Sequence, residues 1–195
     1  MRRFSTLAFA LAATALTAGT AQAFISLPLR DVDQRSTLVE PDPEGVVRLS
    51  PIPREVVAFG GYEPGTVVVS TSQRRLYYVL PGGKAVRYGV GVGRPGFEWS
   101  GVKTVTRKAE WPDWTPPPEM LKRRPDLPRH MKGGEDNPLG ARAMYLGTSL
   151  YRIHGSNEPN TIGQAVSSGC IRMTNDDVQD LYERVGVGTK VVVLR

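Results

Sequence analysis

The sequence predicts a mainly β domain with a single helix near its C-terminal end and one long proline-rich loop. From Thr66 onwards, short runs of β-branched and aromatic residues alternate with turn residues, which is typical of strands and hairpins. Only the segment that follows Thr174 has several apolar residues at helical spacing. Residues 110–140 contain seven prolines, more than a helix or a central strand tolerates.

The predicted strands follow one another at short intervals. Residues 66–70 and 75–80 are separated by a polar turn and form a hairpin, and residues 85–92 form a third strand after Pro81-Gly82-Gly83. Later strands are predicted at residues 102–108, 143–147, 149–153 and 189–194, with a short apolar segment at residues 171–173.

The proline-rich loop and the helix are each predicted from a specific composition. Residues 110–140 contain Trp111, Trp114 and Met120, so we expect this long loop to pack as a flap over a groove. The helix begins after Thr174, whose hydroxyl suits an N-cap with Asp177 three positions further on. Gly186 is predicted to end the helix.

The first 23 residues are predicted to be a cleaved signal peptide. Arg2 and Arg3 form a positive n-region, residues 4–20 are apolar, and Ala21-Gln22-Ala23 has the small-x-small pattern of a cleavage site. The apolar stretch is short for a membrane helix, so no transmembrane anchor is expected after cleavage. Export through the Sec route and export through the twin-arginine route both stay open.

Residues 24–61 are predicted to form an N-terminal arm or linker, because they lack a steady periodicity and are rich in proline. Residues 62–195 form the main domain. The formal charge of +6 falls to +4 once Arg2 and Arg3 are removed. These charges are dispersed and form no basic stripe with interleaved aromatics, so we do not expect nucleic acid to be a partner.

The single cysteine, Cys170, is informative in a chain that is expected to be exported. Disulfides form in that compartment, but one thiol makes no internal bridge. Such a thiol is a small buried hydrophobe, a partner for another chain, or a reactive group. One Cys and two His without ligand-type spacing make a poor zinc site, and no metal or organic cofactor is implied.

Cys170 and His154 form a candidate catalytic pair. His154 and Gly155 come at the end of a predicted strand, and Cys170 lies sixteen positions after His154, directly behind Gly169. An imidazole that takes the proton of the thiol produces a nucleophilic thiolate, and the resulting ion pair lowers the pKa of the thiol. The backbone amides of Gly169 and Cys170 are suited to stabilise an oxyanion.

This region resembles the catalytic motif of the L,D-transpeptidase family, which has the YkuD fold, and in particular its Gram-negative periplasmic branch. The motif pairs His-Gly-(Thr/Ser) with a later Ser-(His)-Gly-Cys-hydrophobe-(Arg/Asn). Here the matching segments are His154-Gly155-Ser156 and Ser167-Ser168-Gly169-Cys170-Ile171-Arg172. The resemblance extends from Gly65 to Arg195 and includes Tyr77-Tyr78-Val79, Trp111-Pro112-Asp113-Trp114-Thr115-Pro116-Pro117, Asn137-Pro138-Leu139-Gly140 and Asn175-Asp176-Asp177.

The resemblance implies a YkuD-like β-sandwich or barrel for residues 62–195 and a periplasmic enzyme that acts on peptidoglycan peptide stems. His154 would take the proton of Cys170, with its tautomer held by a backbone carbonyl such as that of Gly155. The thiolate would attack the carbonyl of the third stem residue, a diamino acid, and expel the terminal D-Ala. The acyl acceptor stays open between a second stem, which gives a 3→3 crosslink, the terminal Lys of an outer-membrane lipoprotein, and a free D-amino acid.

Several further residues are candidates for substrate binding. Arg172 suits a carboxylate of the stem, with a structural salt bridge as the alternative. Ser168 stands where many family members have a second His. The other candidate groove residues, for which local turn roles are the alternative, are Tyr145, Ser156, Asn157 and Ser168 itself. His130 is predicted to be a solvated loop residue, and Trp99 and Trp114 either line the groove or pack in the core.

Three other functions, and one purely structural role for Cys170, are alternatives to this interpretation. In papain-like peptidases the Cys precedes the His, and here His154 comes first, which argues against them. An L,D-carboxypeptidase would use the same site with water as the acceptor. A non-catalytic wall-binding module would keep the fold without the chemistry, and a merely buried Cys170 would be inert to alkylating agents.

Overall fold

The computed structural model describes residues 50–195 and confirms the mainly β fold. The predicted signal peptide and the first part of the predicted arm lie outside these residues. Within the described range the strands are β1 (Glu55–Ala58), β2 (Val67–Ser70), β3 (Arg75–Leu80), β4 (Lys84–Gly89), β5 (Val92–Gly93), β6 (Gly101–Glu110), β7 (Arg142–Leu146), β8 (Arg152–His154), β9 (Ala165–Ser167), β10 (Ile171–Arg172) and β11 (Lys190–Leu194). The helices are α1 (Pro118–Arg123) and α2 (Asn175–Arg184), with a 3₁₀ turn at Pro159–Thr161.

Nine of the strands form one sheet in the order β1-β4-β3-β2-β11-β6-β7-β8-β10. Most neighbours are antiparallel, but β11 runs parallel to β2 and β10 runs parallel to β8. The remaining strands, β5 and β9, pair in parallel as a separate two-stranded sheet. The last strand of the sequence therefore lies inside the large sheet, between β2 and β6.

The middle of the large sheet is buried on both faces, and this explains the unbroken valine runs in β2 and β11. Val67 and Val69 belong to the main core, whereas Val68 faces a smaller cluster with Tyr77 and Val192. Strand residues alternate between the two faces, so a strand that is covered on both sides contains consecutive apolar residues. The main core also receives Val178, Leu181 and Val185 from α2 and the segment after it.

The last residues of the predicted arm are part of the folded sheet. Strand β1 pairs antiparallel with β4, and the ring of Phe59 stacks on that of Tyr77 with a centroid distance of 4.3 Å, which helps to cover the smaller cluster. The guanidinium of Arg54 lies 3.7 Å from Asp177 Oδ1 and 3.4 Å from Asp180 Oδ2, both on α2. The segment from residue 50 to residue 59 therefore contacts the domain at its sheet edge and at its helix.

The helix predicted after Thr174 is confirmed at its start, where the Thr174 hydroxyl accepts a hydrogen bond from the Asp177 amide at 3.2 Å. The helix ends at Arg184 with Val185 already extended, and Gly186 does not take the left-handed conformation, so the predicted glycine cap is wrong. The left-handed glycine of this turn is Gly188, two residues later.

The expectation that residues 110–140 contain no helix is also wrong. Helix α1 forms there with Pro118 in its first turn, where the missing amide proton has no intrahelical partner to lose. The third predicted strand is shorter than expected: β4 ends at Gly89, and Val92–Gly93 pairs with β9 instead. Across residues 50–195, no helix is both long enough and apolar enough to cross a membrane.

Candidate active site

Two short parallel strands bring the predicted catalytic residues to one face of the sheet. In the pairing of β8 with β10, Ile171 is the partner of Ile153 and Arg172 is the partner of His154. Ile153 and Ile171 are buried in the main core. Because side chains alternate along a strand, His154 and Arg172 project to the opposite face, and Cys170, one residue before the paired segment, is placed on that face as well.

This face lines a cavity of about 850 Å³. Its wall contains Cys170, His154 and Arg172 together with Arg152. The other wall comes from the proline-rich loop, as the sequence predicted: Trp114, Pro117, Met120, Arg123, Leu127 and Met131 all line the cavity. The loop is held in place by Asn137, whose buried amide donates to the carbonyls of Pro112 and Lys132.

Cys170 lies at the end of a tight turn that its own neighbours hold in place. The Ser167 hydroxyl donates to the Cys170 carbonyl at 2.6 Å and accepts from the Gly169 amide at 3.1 Å. No acceptor is found for the Cys170 amide among the hydrogen bonds of the described turns and loops. Of the two amides predicted to stabilise an oxyanion, that of Gly169 is therefore engaged and that of Cys170 is free.

Gly169 is required in this turn for two reasons. Its φ of +102° is a conformation that L residues rarely adopt, and a Cβ placed on it would lie 2.6 Å from Tyr151 Cε1. The Tyr151 ring is in turn stacked on Trp99 at 4.5 Å, and the Trp99 indole donates to the Gly169 carbonyl at 2.7 Å. Trp99 thus supports the turn directly.

The imidazole of His154 is held by the backbone of the next residue. His154 Nδ1 lies 2.6 Å from the Gly155 carbonyl oxygen. A carbonyl oxygen only accepts hydrogen bonds, so the proton resides on Nδ1 and the lone pair on Nε2 is available as a base. This is the tautomer, and the partner, that the sequence suggested.

A residue that the sequence analysis did not single out for the site fixes the position of Gly155. Asn175, the first residue of α2, accepts through Oδ1 from the Ala141 amide at 2.9 Å and from the Ser156 amide at 3.3 Å. A Cβ on Gly155 would lie 2.3 Å from the same oxygen. The start of α2 and the segment after β8 are therefore tied together around the backbone that holds His154.

Burial favours the uncharged form of both members of the pair. Burial lowers the pKa of His154 to about 3, helped by the nearby cations Arg172 and Arg152 and opposed by the bond to Gly155. Burial raises the pKa of Cys170, against the opposing fields of Arg152 and Arg172. The thiol donates to the Leu150 carbonyl at 3.7 Å.

The structure places the predicted substrate-binding residues unequally. Arg172, Ser168 and Asn157 line the cavity. Arg172 Nη1 is already paired with Glu158 Oε2 at 2.9 Å, and Ser168 Oγ accepts from Arg94 Nη1 at 3.3 Å. Asn157 Nδ2 donates to the Asp136 carbonyl at 2.9 Å.

The other two candidates do not line the cavity. The Tyr145 ring lies under the guanidinium of Arg107, at 3.7 Å, and that of Arg152, at 5.3 Å. Ser156 is buried, and its hydroxyl accepts from the Glu158 amide at 3.0 Å, which is a local turn role. Tyr145 therefore reaches the site only through Arg152, which the sequence analysis missed although it lies two residues before His154 on the same strand.

The second histidine is separate from this site. His130 is exposed in the proline-rich loop, where its ring contacts Thr115 and Asp113, and it does not line the cavity. It is a solvated loop residue, as predicted. Between residues 50 and 195, no group of three or more His, Cys, Asp or Glu side chains is arranged to hold a metal ion.

Comparisons with known proteins give a consistent result. Residues 64–193 match the family model YkuD, described as the L,D-transpeptidase catalytic domain. Over 152 residues the chain is 41% identical to the probable L,D-transpeptidase ErfK/SrfK of Escherichia coli (strain K12), a match that covers 73% of this chain and 48% of that protein. The chain spans about half the length of the curated relatives it matches.

Solved structures show the same fold. An L,D-transpeptidase from Mycobacterium smegmatis matches with a TM-score of 0.54 and 19% identity, covering 67% of this chain and 58% of that one. L,D-transpeptidase 3 from Mycobacterium tuberculosis, solved in complex with a faropenem-derived adduct, matches with a TM-score of 0.53 and 18% identity, covering 67% and 60%. At these identities the similarity concerns the fold.

Proposed function

The chain belongs to the YkuD family of L,D-transpeptidase catalytic domains, and from this premise we propose that Cys170 and His154 are the nucleophile and the base of a peptidoglycan acyl transfer. The observation that carries the proposal is their placement on one sheet face, in the wall of one cavity, with the proton of His154 held on Nδ1 by Gly155. A reactive thiol needs a base of this kind within the same pocket.

The first step forms a thioester. As Cys170 Sγ bonds to the carbonyl carbon of the third stem residue, its proton turns from the Leu150 carbonyl to His154 Nε2. The carbon–nitrogen bond to the terminal D-Ala then breaks, and the departing amine takes the proton from the imidazolium. Because burial favours the uncharged form of both side chains, we place proton transfer together with the attack.

The developing oxyanion is stabilised by the backbone of the turn. The Cys170 amide has no acceptor in the turn, which leaves it free to donate to the oxyanion, while the Gly169 amide stays with Ser167. Trp99 and Tyr151 keep the turn rigid, so that this donor is in place before the substrate binds. In the second step, an acceptor amine attacks the thioester and gives a proton to His154. The carbon–sulfur bond breaks, and the imidazolium returns this proton to the sulfur of Cys170.

The acceptor defines the biological outcome. A second peptide stem gives a 3→3 crosslink, the terminal Lys of an outer-membrane lipoprotein gives protein attachment, and water gives an L,D-carboxypeptidase. We assign the enzyme to amine acceptors and to the periplasm, in keeping with the predicted signal peptide. The Pro-rich loop forms one wall of a cavity of about 850 Å³, which offers room for part of a peptide stem.

The test is intact-mass analysis of the protein after incubation with a carbapenem. We expect one drug mass added to the wild type, no adduct on Cys170→Ala, and acylation of His154→Gln slower by about a hundredfold or more, as for loss of a general base. His130→Gln is the matched control, since His130 lies outside the cavity, and its rate should equal that of the wild type.

Muropeptide assays then separate the acceptors. Tetrapeptide stems should give crosslinked dimers with loss of D-Ala, whereas tripeptides alone would show that water is the acceptor. A folded wild type that forms neither an adduct nor a product would contradict the proposal and leave a wall-binding module as the function.

A further inference from the structure

The cavity that contains Cys170 is lined by five arginines, and they differ in whether a carboxylate neutralises them. They are Arg94, Arg123, Arg124, Arg152 and Arg172. Two have carboxylate partners: Arg172 pairs with Glu158 at 2.9 Å, and Arg124 pairs with Asp126 through two nitrogens. The other three form no ion pair with any described residue.

The acidic residues of the lining do not compensate these three cations. Glu119 pairs with Lys122 at 2.8 Å, and Glu158 pairs with Arg172. Asp136 is the one lining carboxylate without a cationic partner among residues 50–195. The cavity therefore presents an excess of positive charge to a bound molecule, which favours an anionic group.

Two of the unpaired arginines share one aromatic ring although they come from different parts of the chain. The guanidinium carbon of Arg94, just after β5, lies 4.2 Å from the centroid of the Phe97 ring, and that of Arg123, the last residue of α1, lies 5.3 Å from it. A guanidinium stacked on a ring keeps the nitrogens on its edge available as donors. Phe97 is therefore a common contact of two cations that come from different segments of the chain.

Arg94 also contacts the turn that contains the nucleophile. Arg94 Nη1 is 3.3 Å from Ser168 Oγ, and Ser168 is two residues before Cys170 in the same turn. The Arg94 amide donates to the Ser167 carbonyl at 3.0 Å, which fixes its backbone against that turn. Arg152, in contrast, lies over the Tyr145 ring and beside Cys170, where its charge acts on the thiol.

Resting on the proposed function, we propose that Arg94 and Arg123 form the subsite that binds a carboxylate of the peptide substrate, in place of Arg172. Arg172 is already neutralised by Glu158, so binding a second carboxylate there would require that pair to break. Arg94 and Arg123 have no carboxylate partner among residues 50–195, and a planar carboxylate matches the fork of a guanidinium. A carboxylate bound by both cations would therefore connect the proline-rich loop, which contains Arg123, with the turn of Cys170, which Arg94 contacts.

The experiment measures binding without catalysis. In the Cys170→Ala protein, isothermal titration calorimetry compares a tetrapeptide-stem muropeptide with the same muropeptide whose terminal carboxylate is an amide. We expect the acid to bind more tightly than the amide, and Arg94→Gln or Arg123→Gln to weaken the acid by about tenfold each, the size of a charge-assisted hydrogen bond. Neither variant should change the binding of the amide.

Arg124→Gln is the matched control, since it removes a cation from the same cavity that already has a carboxylate partner. Its affinity for the acid should stay within about twofold of the parent. The proposal is overturned if the parent shows no preference for the acid, if Arg124→Gln weakens the acid as much as the other two, or if Arg94→Gln and Arg123→Gln weaken acid and amide equally.

A second arm identifies which carboxylate is bound. The same titrations are made with an acceptor peptide whose carboxylate is adjacent to its amine, and with its amide. If the acid binds more tightly than the amide for the donor stem, the subsite binds the leaving D-Ala. If this preference is seen only for the acceptor peptide, the subsite binds the incoming amine substrate. These titrations use Cys170→Ala proteins and measure binding alone, whereas the proposed function is tested by the carbapenem adduct on the wild type, so a failure here is distinguishable from a failure of the proposed function.

Discussion

Replacing Gly169 by Ala tests how strongly the turn that precedes the nucleophile requires a glycine. Two costs add. A φ of +102° strains an L residue by about 1–2 kcal/mol. The new Cβ would also lie 2.6 Å from Tyr151 Cε1, an overpacking that costs about 1–3 kcal/mol in well-packed sites.

The aromatic neighbour cannot give way at low cost. Tyr151 is stacked on Trp99 with an interplanar angle of 5°, and Trp99 is itself bonded to the Gly169 carbonyl. A shift of the Tyr151 ring therefore displaces the support of the turn. We expect Gly169→Ala to lower the free energy of unfolding by about 3 kcal/mol and to slow carbapenem acylation of Cys170 by at least about tenfold.

Gly188→Ala is the control for backbone strain alone. Gly188 has a similar φ of +93°, and a Cβ there would meet no atom within 4 Å. Urea unfolding of both variants, with acylation rates measured by mass spectrometry, separates the two costs. We expect Gly188→Ala to lose only about 1–2 kcal/mol and to acylate normally. Equal losses in the two variants would refute the argument that packing against Tyr151 constrains the turn.

Three further predictions concern charges and hydrogen bonds. Because the pKa of His154 is lowered to about 3, its imidazole stays an unprotonated base between pH 5 and pH 8. The carbapenem acylation rate should therefore show no inflection near pH 6.5. A rate that falls towards acid pH with a midpoint near 6.5 would contradict this prediction. Trp99→Phe keeps an aromatic ring beside Tyr151 but leaves the Gly169 carbonyl without its donor, and should lower the free energy of unfolding by about 1–2 kcal/mol in urea titrations, where an unchanged value would count against the bond. Burial raises the pKa of Asp177 to about 6 despite the Arg54 cation, so the folded state binds that proton more tightly than the unfolded state does and the wild type loses stability as pH rises. Relative to Asp177→Asn, unfolding free energies of the wild type should fall by about 2 kcal/mol between pH 4 and pH 7, and a constant difference would refute this sign.

The parts of the fold that the sequence predicts well are those in which local and tertiary preferences agree. Strand β3 has the bounds predicted for it, because its aromatic and apolar residues favour a strand and it packs within the sheet. The start of α2 was predicted for the same reason, since the Thr174 cap satisfies an amide of the helix itself. In both cases nearest-neighbour chemistry decides the structure.

The errors arise where tertiary contacts decide. Strand β1 was hidden in a proline-rich segment, and it forms because β4 offers an unpaired edge and Arg54 binds the carboxylates of α2. Helix α1 is short and has no buried residue, so its sequence contains no apolar periodicity that reveals it. Local sequence preferences carry no information about such tertiary contacts.

The residues of the candidate site also differ in how well the sequence predicts them. Cys170 and His154 were predictable, since the chemistry of the motif specifies them. A structural salt bridge was one of the two alternatives for Arg172 and is present, but its partner Glu158 was not predictable, because the pairing depends on a 3₁₀ turn that brings residue 158 back towards β10. Arg152 was within reach of sequence reasoning: two-residue alternation along β8 places it on the face of His154.

The position of β11 inside the large sheet has a consequence for how the domain is made. Lys190–Leu194 joins β2 to β6, so the two parts of the sheet have no backbone pairing with each other until these residues arrive. A ribosome-bound chain that lacks them exposes the edges of β2 and β6, which are sites for self-association. Closure of the sheet therefore requires residues 190–194, and a chain cut before residue 190 is expected to be a target for proteolysis.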